Sequence, residues 1–117
     1  MEIKNLGKTS TGMQANVEAL LSYLLGFITG IIFFLVEKEN KFVRFHAMQS
    51  IVVFGGLFVI SFVLGFMLGF VPFLGLAISS LLGLVQIILW IVLMIKAFQG
   101  EYFKLPIAGD IAEKQVK

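Results

Sequence analysis

The residues best suited to chemistry stand together between two apolar runs. Arg44 and His46 are the only arginine and the only histidine of the chain, and Phe42 and Phe45 flank them. A catalytic or metal-binding histidine needs a second base, a nucleophile or further ligands at suitable spacing. No such partner accompanies His46, and the chain has no cysteine. We therefore expect no catalytic residue, no cofactor and no metal site, and we expect that the protein is not an enzyme.

The polar side chains of this stretch fall on one face of a helix. His46, Gln49 and Ser50 are spaced i, i+3 and i+4, whereas Arg44 points about 160° away from His46 at 100° per residue. Aromatic bodies with polar tips suit the boundary between water and lipid. We interpret the stretch as an interfacial motif in which the lone histidine is a structural hydrogen-bonding residue. Its members are Phe42, Arg44, Phe45, His46, Gln49 and Ser50.

The composition of the whole chain is typical of a membrane protein. Its 117 residues are 59% hydrophobic and 14% charged, with a mean hydropathy of +1.01. Soluble domains are about 45–50% apolar and about 25% charged. The net charge is only +2 and the basic residues form no cluster, which argues against a nucleic-acid partner. The expected environment is the lipid bilayer of the cell membrane.

Three apolar segments are long enough to cross a bilayer. The first has 21 residues, which as a helix would extend about 30 Å, the thickness of the hydrocarbon layer. Charged residues follow the first segment, and an uncharged turn around Pro72 follows the second. The predicted transmembrane helices lie near Asn16–Val36, Phe42–Phe70 and Leu76–Phe98.

The predicted architecture is therefore all-α and polytopic. A polar amino-terminal tail at 1–15 precedes a three-helix transmembrane domain at 16–98. A cytoplasmic tail at 99–117 completes the chain. Pro106 suits the first position of a helix, and the residues after it have one weakly apolar side. We predict a short interfacial helix there.

Small residues recur on the predicted spans at helical spacing. The first span carries a Gly-x-x-x-Gly pair, and the second carries small residues every four positions. This spacing lets two helices approach closely in a membrane. An amide near the middle of the third span would normally bind a neighbouring helix. The predicted packing residues are Gly26, Gly30, Ser61, Gly65, Gly69 and Gln86.

Basic residues are unevenly divided between the two sides of a three-span protein. The side of the amino-terminal tail holds two, Lys4 and Lys8. The other side holds seven: Lys38, Lys41, Arg44, Lys96, Lys104, Lys114 and Lys117. The positive-inside rule then predicts a cytoplasmic carboxyl terminus and an amino terminus outside.

A second motif with acidic residues follows the last predicted span, on the side of the membrane where the predicted orientation also places Arg44. Our hypothesis is that Arg44 pairs with Asp110 or Glu101 and fixes the tail under the bundle, since a guanidinium holds a carboxylate with two parallel hydrogen bonds. The alternative is that Arg44 anchors a lipid phosphate. The residues of this tail motif are Gly100, Glu101, Pro106, Gly109 and Asp110.

The two motifs together resemble those of a known family. They read Phe-Val-Arg-Phe-His-Ala-Met-Gln-Ser at 42–50 and Gly-Glu-Tyr-Phe-Lys-Leu-Pro-Ile-Ala-Gly-Asp at 100–110. They resemble the signatures of small uncharacterised archaeal and bacterial multi-pass membrane proteins. That family is distantly similar to the multi-pass subunit of the chloroplast inner-envelope protein translocon, which has four spans where this chain shows three. The resemblance covers 20–113 and implies a membrane protein without an established activity.

Three kinds of function remain open. The first is a structural or interaction module that packs with itself, as a homo-oligomer, or with a membrane protein partner. The second is a component of a protein-translocation or membrane-insertion assembly, which only the resemblance favours. The third is an oligomeric small-solute channel or transporter, although the apolar segments lack the charged residues that normally mark such pathways. The small-residue faces favour the first.

Overall fold

The protein is all-helical, as predicted. A computed structural model describes residues 6–116 of the chain. A π-helical turn at Ile51–Gly55 joins the third and fourth helices without interruption. The helices are α1 (Ala15–Leu24), α2 (Phe27–Val36), α3 (Lys41–Ser50), α4 (Gly56–Leu68), α5 (Pro72–Phe98) and α6 (Ala108–Val116).

Two of these helices are long and apolar enough to cross a membrane. The continuous helix Lys41–Leu68 has 28 residues and α5 has 27. Residues 45–95 contain no Asp, Glu, Lys or Arg. None of the residues of α4 is buried, and Phe62 and Phe66 expose 72% and 78% of their surface. Such a surface suits contact with lipid chains.

The boundary between the two long helices differs from the prediction. α5 begins at Pro72, four residues before the predicted start at Leu76. Proline suits the first helical position because the N–H that it lacks would have no helical partner there. The predicted turn around Pro72 is therefore reduced to Gly69–Val71.

The first predicted span, Asn16–Val36, is not one helix, and three transmembrane helices are not confirmed. The chain reverses at Gly26, whose φ of 63° is accessible to glycine and strained for other residues. The Thr29 hydroxyl closes the bend, because it accepts a hydrogen bond from Leu25 N at 3.0 Å and donates to Ser22 O at 3.1 Å. Hydropathy alone predicted a continuous span because it does not register this backbone geometry.

α1 and α2 therefore form an antiparallel hairpin. Glu18 in the first turn of α1 and Glu37 just after α2 are in contact. At the other end of the hairpin, the carbonyl of Gly26 accepts a hydrogen bond from Ser50 Oγ at 2.8 Å. Ten residues of helix extend about 15 Å, which is half of a hydrocarbon layer of about 30 Å. The hairpin is thus too short to cross a bilayer.

The hairpin packs against both long helices. Asn16 Nδ2 donates to Phe98 O at 3.0 Å, and Trp90 Nε1 donates to Tyr23 O at 2.8 Å. α1 therefore runs antiparallel to the last turns of α5. The outer part of the α4–α5 pair, which includes Ser61 and Gln86, extends beyond the hairpin. The molecule measures 51 × 28 × 22 Å.

The amino-terminal segment and the carboxyl-terminal tail lie at the same end of the molecule. Asn40 Nδ2 donates to the carbonyls of Leu6 and Lys8, both at 3.0 Å, beside the turn between α2 and α3. The tail begins where α5 meets the start of α1. The far end is the uncharged turn Gly69–Val71. This arrangement differs from the predicted one, which placed the two termini on opposite sides; Lys4 and Lys117 lie outside the described residues.

Candidate functional site

Three buried side chains from α1 and α3 form a hydrogen-bonded group, which we call the polar cluster: Tyr23, His46 and Gln49. The Tyr23 hydroxyl lies 2.6 Å from Nδ1 of His46 and 3.0 Å from Nε2 of Gln49. All three side chains are fully buried. The helical spacing of His46 and Gln49 aims both at α1, where Tyr23 meets them.

The polar cluster binds the backbone of the tail at every second residue. His46 Nε2 donates to Glu101 O at 2.8 Å, and Gln49 Nε2 donates to Phe103 O at 2.9 Å. Leu105 N in turn donates to Gln49 Oε1 at 3.0 Å. Successive residues of an extended chain point in opposite directions, so alternate residues present their backbone groups to the same helix face. Two side chains of α3 therefore bind residues 101–105 of the tail.

The hydrogen bonds fix the tautomer of His46. Glu101 O can only accept, so Nε2 carries the proton and Nδ1 accepts from the Tyr23 hydroxyl. The Tyr23 oxygen accepts from Gln49, and every polar atom of the three side chains has a partner. A buried network of this kind stabilises one packing arrangement.

Ser50, the third polar residue on this face of α3, lies where α2 and α3 approach closely. Ser50 Oγ binds Gly26 O, as described above. A Cβ on Gly30 would lie 2.9 Å from Ala47 O and 3.0 Å from Ser50 Cβ. Of the glycines predicted to pack, Gly26 and Gly30 thus face α3 and the turn that follows it within this chain.

The aromatic residues of the motif are internal. Phe42 and Phe45 each expose 1% of their surface. The Tyr102 ring lies over both, with centroid distances of 4.9 Å and 5.3 Å. The contact with Phe42 is edge-to-face and the contact with Phe45 is tilted. Aromatic pairs of this kind add about 0.5–1.5 kcal/mol beyond burial. These rings fasten the first residues of the tail to α3 and do not form a belt at the lipid boundary.

Arg44 binds neither acid of the tail, so our pairing hypothesis is wrong for this structure. Its Nη1 donates to Phe34 O and Glu37 O, both at 2.8 Å, and its guanidinium lies 4.0 Å from the centroid of the Phe34 ring. A cation at the last carbonyls of α2 complements the helix dipole. The acids pair elsewhere: Glu101 with Lys96 at 3.1 Å and Asp110 with Lys104 at 3.2 Å.

The two glycines of the tail motif have geometric roles. Gly100 (φ 79°) ends α5 in a Schellman motif, because Gly100 N binds Ala97 O and Glu101 N binds Lys96 O. A Cβ on Gly109 would lie 2.7 Å from Lys104 Cα, so the tail and α6 touch there. Pro106 precedes α6 but does not begin it, since the helix starts at Ala108.

The other predicted packing residues lie in the outer part of the α4–α5 pair. Gln86 Nε2 is 3.4 Å from Ser61 Oγ, a long hydrogen bond between the two helices. A Cβ on Gly65 would meet nothing within 4 Å, and one on Gly69 would meet only backbone of its own helix. No other helix of the described residues therefore packs closely against Gly65.

Among the buried polar residues that sequence reasoning missed are Glu18, Tyr23 and Glu37. All three are fully buried. A usable signal was the cluster of polar residues in the first half of Asn16–Val36, where a spanning helix is normally apolar. Among residues 6–116, no group of three His, Asp or Glu side chains is placed to hold a metal ion.

Comparisons with known proteins agree on one family. Residues 8–112 match the magnetosome magnetite crystal formation protein family. A UPF0132 membrane protein of Methanocaldococcus jannaschii is 55% identical over 109 residues, which is 93% of this chain and 94% of the relative. A UPF0132 membrane protein of Archaeoglobus fulgidus is 50% identical over 104 residues, 89% of this chain and 97% of the relative. No solved structure matches the chain.

These relatives confirm the expected class, a small archaeal membrane protein of an uncharacterised family, and the motifs at 42–50 and 100–110 lie inside the matched range. The distant link to the chloroplast translocon subunit is not shown. The chain belongs to the family of the UPF0132 membrane proteins, which is also described as the magnetosome magnetite crystal formation protein family.

Proposed function

We propose that this protein is a structural membrane module that associates with a second copy of itself along the outer part of the α4–α5 pair. The observation that supports this proposal is the weak hydrogen bonding of the Gln86 side chain. Its amide lies in the charge-free part of the chain and makes one long hydrogen bond, 3.4 Å, to Ser61. An amide in a hydrocarbon environment is stabilised by hydrogen bonds to another helix.

The surroundings of Gln86 support a close neighbour. Gln86 lines an open cleft of about 200 Å³ with Phe54 and Trp90. One turn away, a Cβ on Gly83 would meet nothing within 4 Å, and the same holds for Gly65 beside Ser61. A carboxamide both donates and accepts, so two copies related by a two-fold axis satisfy each other's Gln86. This self-complementarity favours a second copy over an unrelated partner.

The proposal includes a topology. The long helix Lys41–Leu68 and α5 cross the membrane, and the α1–α2 hairpin enters from the charged end and returns to it. Both termini then lie in the cytoplasm. The positive-inside rule supports this side, because the basic residues of the described chain all lie outside the charge-free stretch 45–95. They are Lys8, Lys38, Lys41, Arg44, Lys96, Lys104 and Lys114.

The proposal rests on helix packing. It does not extend to protein translocation, solute transport or the mineral formation named in the family's description. The contacts of Gln86 support an association between helices and none of these activities.

We expect Gln86→Leu to weaken self-association in lipid vesicles. A hydrogen bond between membrane helices contributes roughly 0.6 kcal/mol, and a symmetric pair has two, so the dissociation constant should rise about five- to tenfold. Energy transfer between labelled copies, measured against protein-to-lipid ratio, gives this constant. Ile88→Leu is the matched control, because Ile88 lies two positions away and is 52% exposed. Equal dissociation constants for wild type and Gln86→Leu, or a monomer throughout, would refute the proposal.

A further inference from the structure

Two carboxyl groups are buried together at the charged end of the molecule. Glu18 and Glu37 have no exposed surface, and both lie outside the two candidate spans. The two carboxyl groups are neighbours, since the adjacent residues Ser10 and Thr11 bind Glu37 and Glu18, respectively. Two carboxyl groups can share a hydrogen bond only if one of them carries a proton.

The protein supplies donors to these two groups unequally. The Glu37 carboxylate accepts from Ser10 N at 2.8 Å, from Ser10 Oγ at 2.8 Å, from Asn40 N at 3.0 Å and from Glu39 N at 3.1 Å. Glu18 accepts from Thr11 Oγ1 at 3.2 Å through Oε2. No N–H or O–H of the described residues reaches its buried Oε1. The charge is therefore stabilised on Glu37, and the proton resides on Glu18.

We propose that Glu18 and Glu37 hold one shared proton and that its loss releases the segment of residues 9–13, which we call the amino-terminal strap. Ser10 and Thr11 attach the strap to these two carboxyl groups, and Thr9 Oγ1 closes it on itself by donating to Met13 O at 2.6 Å. Without the proton, two negative charges would be in contact away from water, and exposure to water relieves that repulsion. Opening the strap provides the exposure.

No positively charged side chain among residues 6–116 neutralises the carboxylate pair in place of the proton. Ion pairs within residues 6–116 join only Lys96 to Glu101 and Lys104 to Asp110 and Glu113. Arg44 binds carbonyls, and His46 is held neutral by Tyr23 and the tail. The titratable groups of the neighbouring segments that remain are exposed: Lys8, Lys38, Glu39 and Lys41.

The pKa values give the direction of the response. Burial, reinforced by the neighbouring Glu37, raises the pKa of Glu18 from 4.5 to about 7. The contribution of Glu18 to closing the strap is therefore present in full below pH 4.5 and is lost as the pH rises through about 7. Burial also acts to raise the pKa of Glu37, but hydrogen bonds from Asn40 and Ser10 outweigh it and lower that pKa. The contribution of Glu37 is present above pH 4.5 and is lost as the pH falls through its lowered pKa.

The test is amide hydrogen exchange of the full chain in lipid nanodiscs, read as the protection factor of Ser10 N–H after correction for intrinsic exchange. In the wild type, we expect protection to fall by up to about tenfold per pH unit between 4.5 and about 7, and to level off above. Glu18→Gln keeps a neutral donor next to Glu37, so its strap should stay protected across this range. Glu39→Gln changes an exposed acid beside the site and should follow the wild-type curve.

A flat wild-type profile would overturn the proposal. So would a Glu18→Gln profile that keeps the wild-type slope, because the proton would then belong to another group. Glu37→Gln removes the negative charge and one of the two acceptor oxygens, so the Ser10 amide should be less protected than in the wild type at pH 4.5. Since that variant can fail to fold, the wild-type and Glu18→Gln profiles decide the matter without it.

Discussion

Replacing Gly30 by leucine should destabilise the protein by about 3 kcal/mol or more, at the upper end of what overpacking costs. A Cβ at this position would lie 2.9 Å from Ala47 O, a backbone atom of α3 that moves only with its helix. The larger side chain must therefore push α2 away from α3 and lengthen the hydrogen bond from Ser50 to Gly26. Unfolding in mixed detergent, followed by circular dichroism, measures the change in free energy.

Gly56→Leu is the matched control for this prediction. It places the same side chain on an apolar helix where a Cβ would meet nothing within 4 Å, and it is not part of the surface proposed for self-association. Its unfolding free energy in the same detergent should remain within about 0.5 kcal/mol of the wild type. If Gly30→Leu is as stable as this control, α2 does not pack on α3 and the hairpin is wrongly described.

Gln49→Leu should detach the carboxyl-terminal tail. The substitution keeps the size of the side chain but removes its bonds to Tyr23, Phe103 and Leu105. Tyr23 keeps its hydrogen bond with His46, but Phe103 O and Leu105 N lose their partners. Each such buried group costs roughly 1–3 kcal/mol, so the total is about 2–6 kcal/mol unless the tail leaves and its backbone binds water. Release of the tail is the cheaper outcome, and we expect it.

Limited trypsin cleavage after Lys104 reports this release. Lys104 follows Phe103, whose carbonyl is held by Gln49, and α6 packs against α3 just beyond it. Cleavage in Gln49→Leu should be at least tenfold faster than in the wild type. Gln115→Leu makes the same chemical change at an exposed position of α6 and should leave the rate unchanged. A wild-type rate in Gln49→Leu would contradict the role given to the polar cluster.

The spacing of polar residues in the sequence predicts the polar face of α3. Helical geometry alone puts His46, Gln49 and Ser50 on one face, and the structure brings that face against α1, the tail and Gly26. The tail is bound by His46 and Gln49 and not, as the hypothesis had it, by Arg44. The partner of a buried side chain depends on which backbone segments the fold brings near it. The tail presented carbonyls to His46 and Gln49, whereas the nearest acceptors for Arg44 were the last carbonyls of α2.

The reversal at Gly26 could not be read from hydropathy. A hydropathy profile averages over a span and weighs Ser22, Gly26 and Thr29 as small deviations within an apolar run. In the structure those three residues make the bend, through one positive φ and two hydrogen bonds of the Thr29 hydroxyl. The orientation predicted from basic residues assumed that continuous span, and the side on which each terminus lies stays a prediction.

The most direct test of the account is the side of the membrane on which each end of the chain lies. The chain has no cysteine, so single cysteines can be placed at Lys8, Val71 and Lys114 in intact cells and treated with an impermeant thiol reagent. The re-entrant α1–α2 hairpin predicts labelling from outside at Val71 alone, and labelling at Lys8 and Lys114 only after the membrane is opened. Labelling from outside at Lys8 with Lys114 protected would establish three crossings and contradict the hairpin.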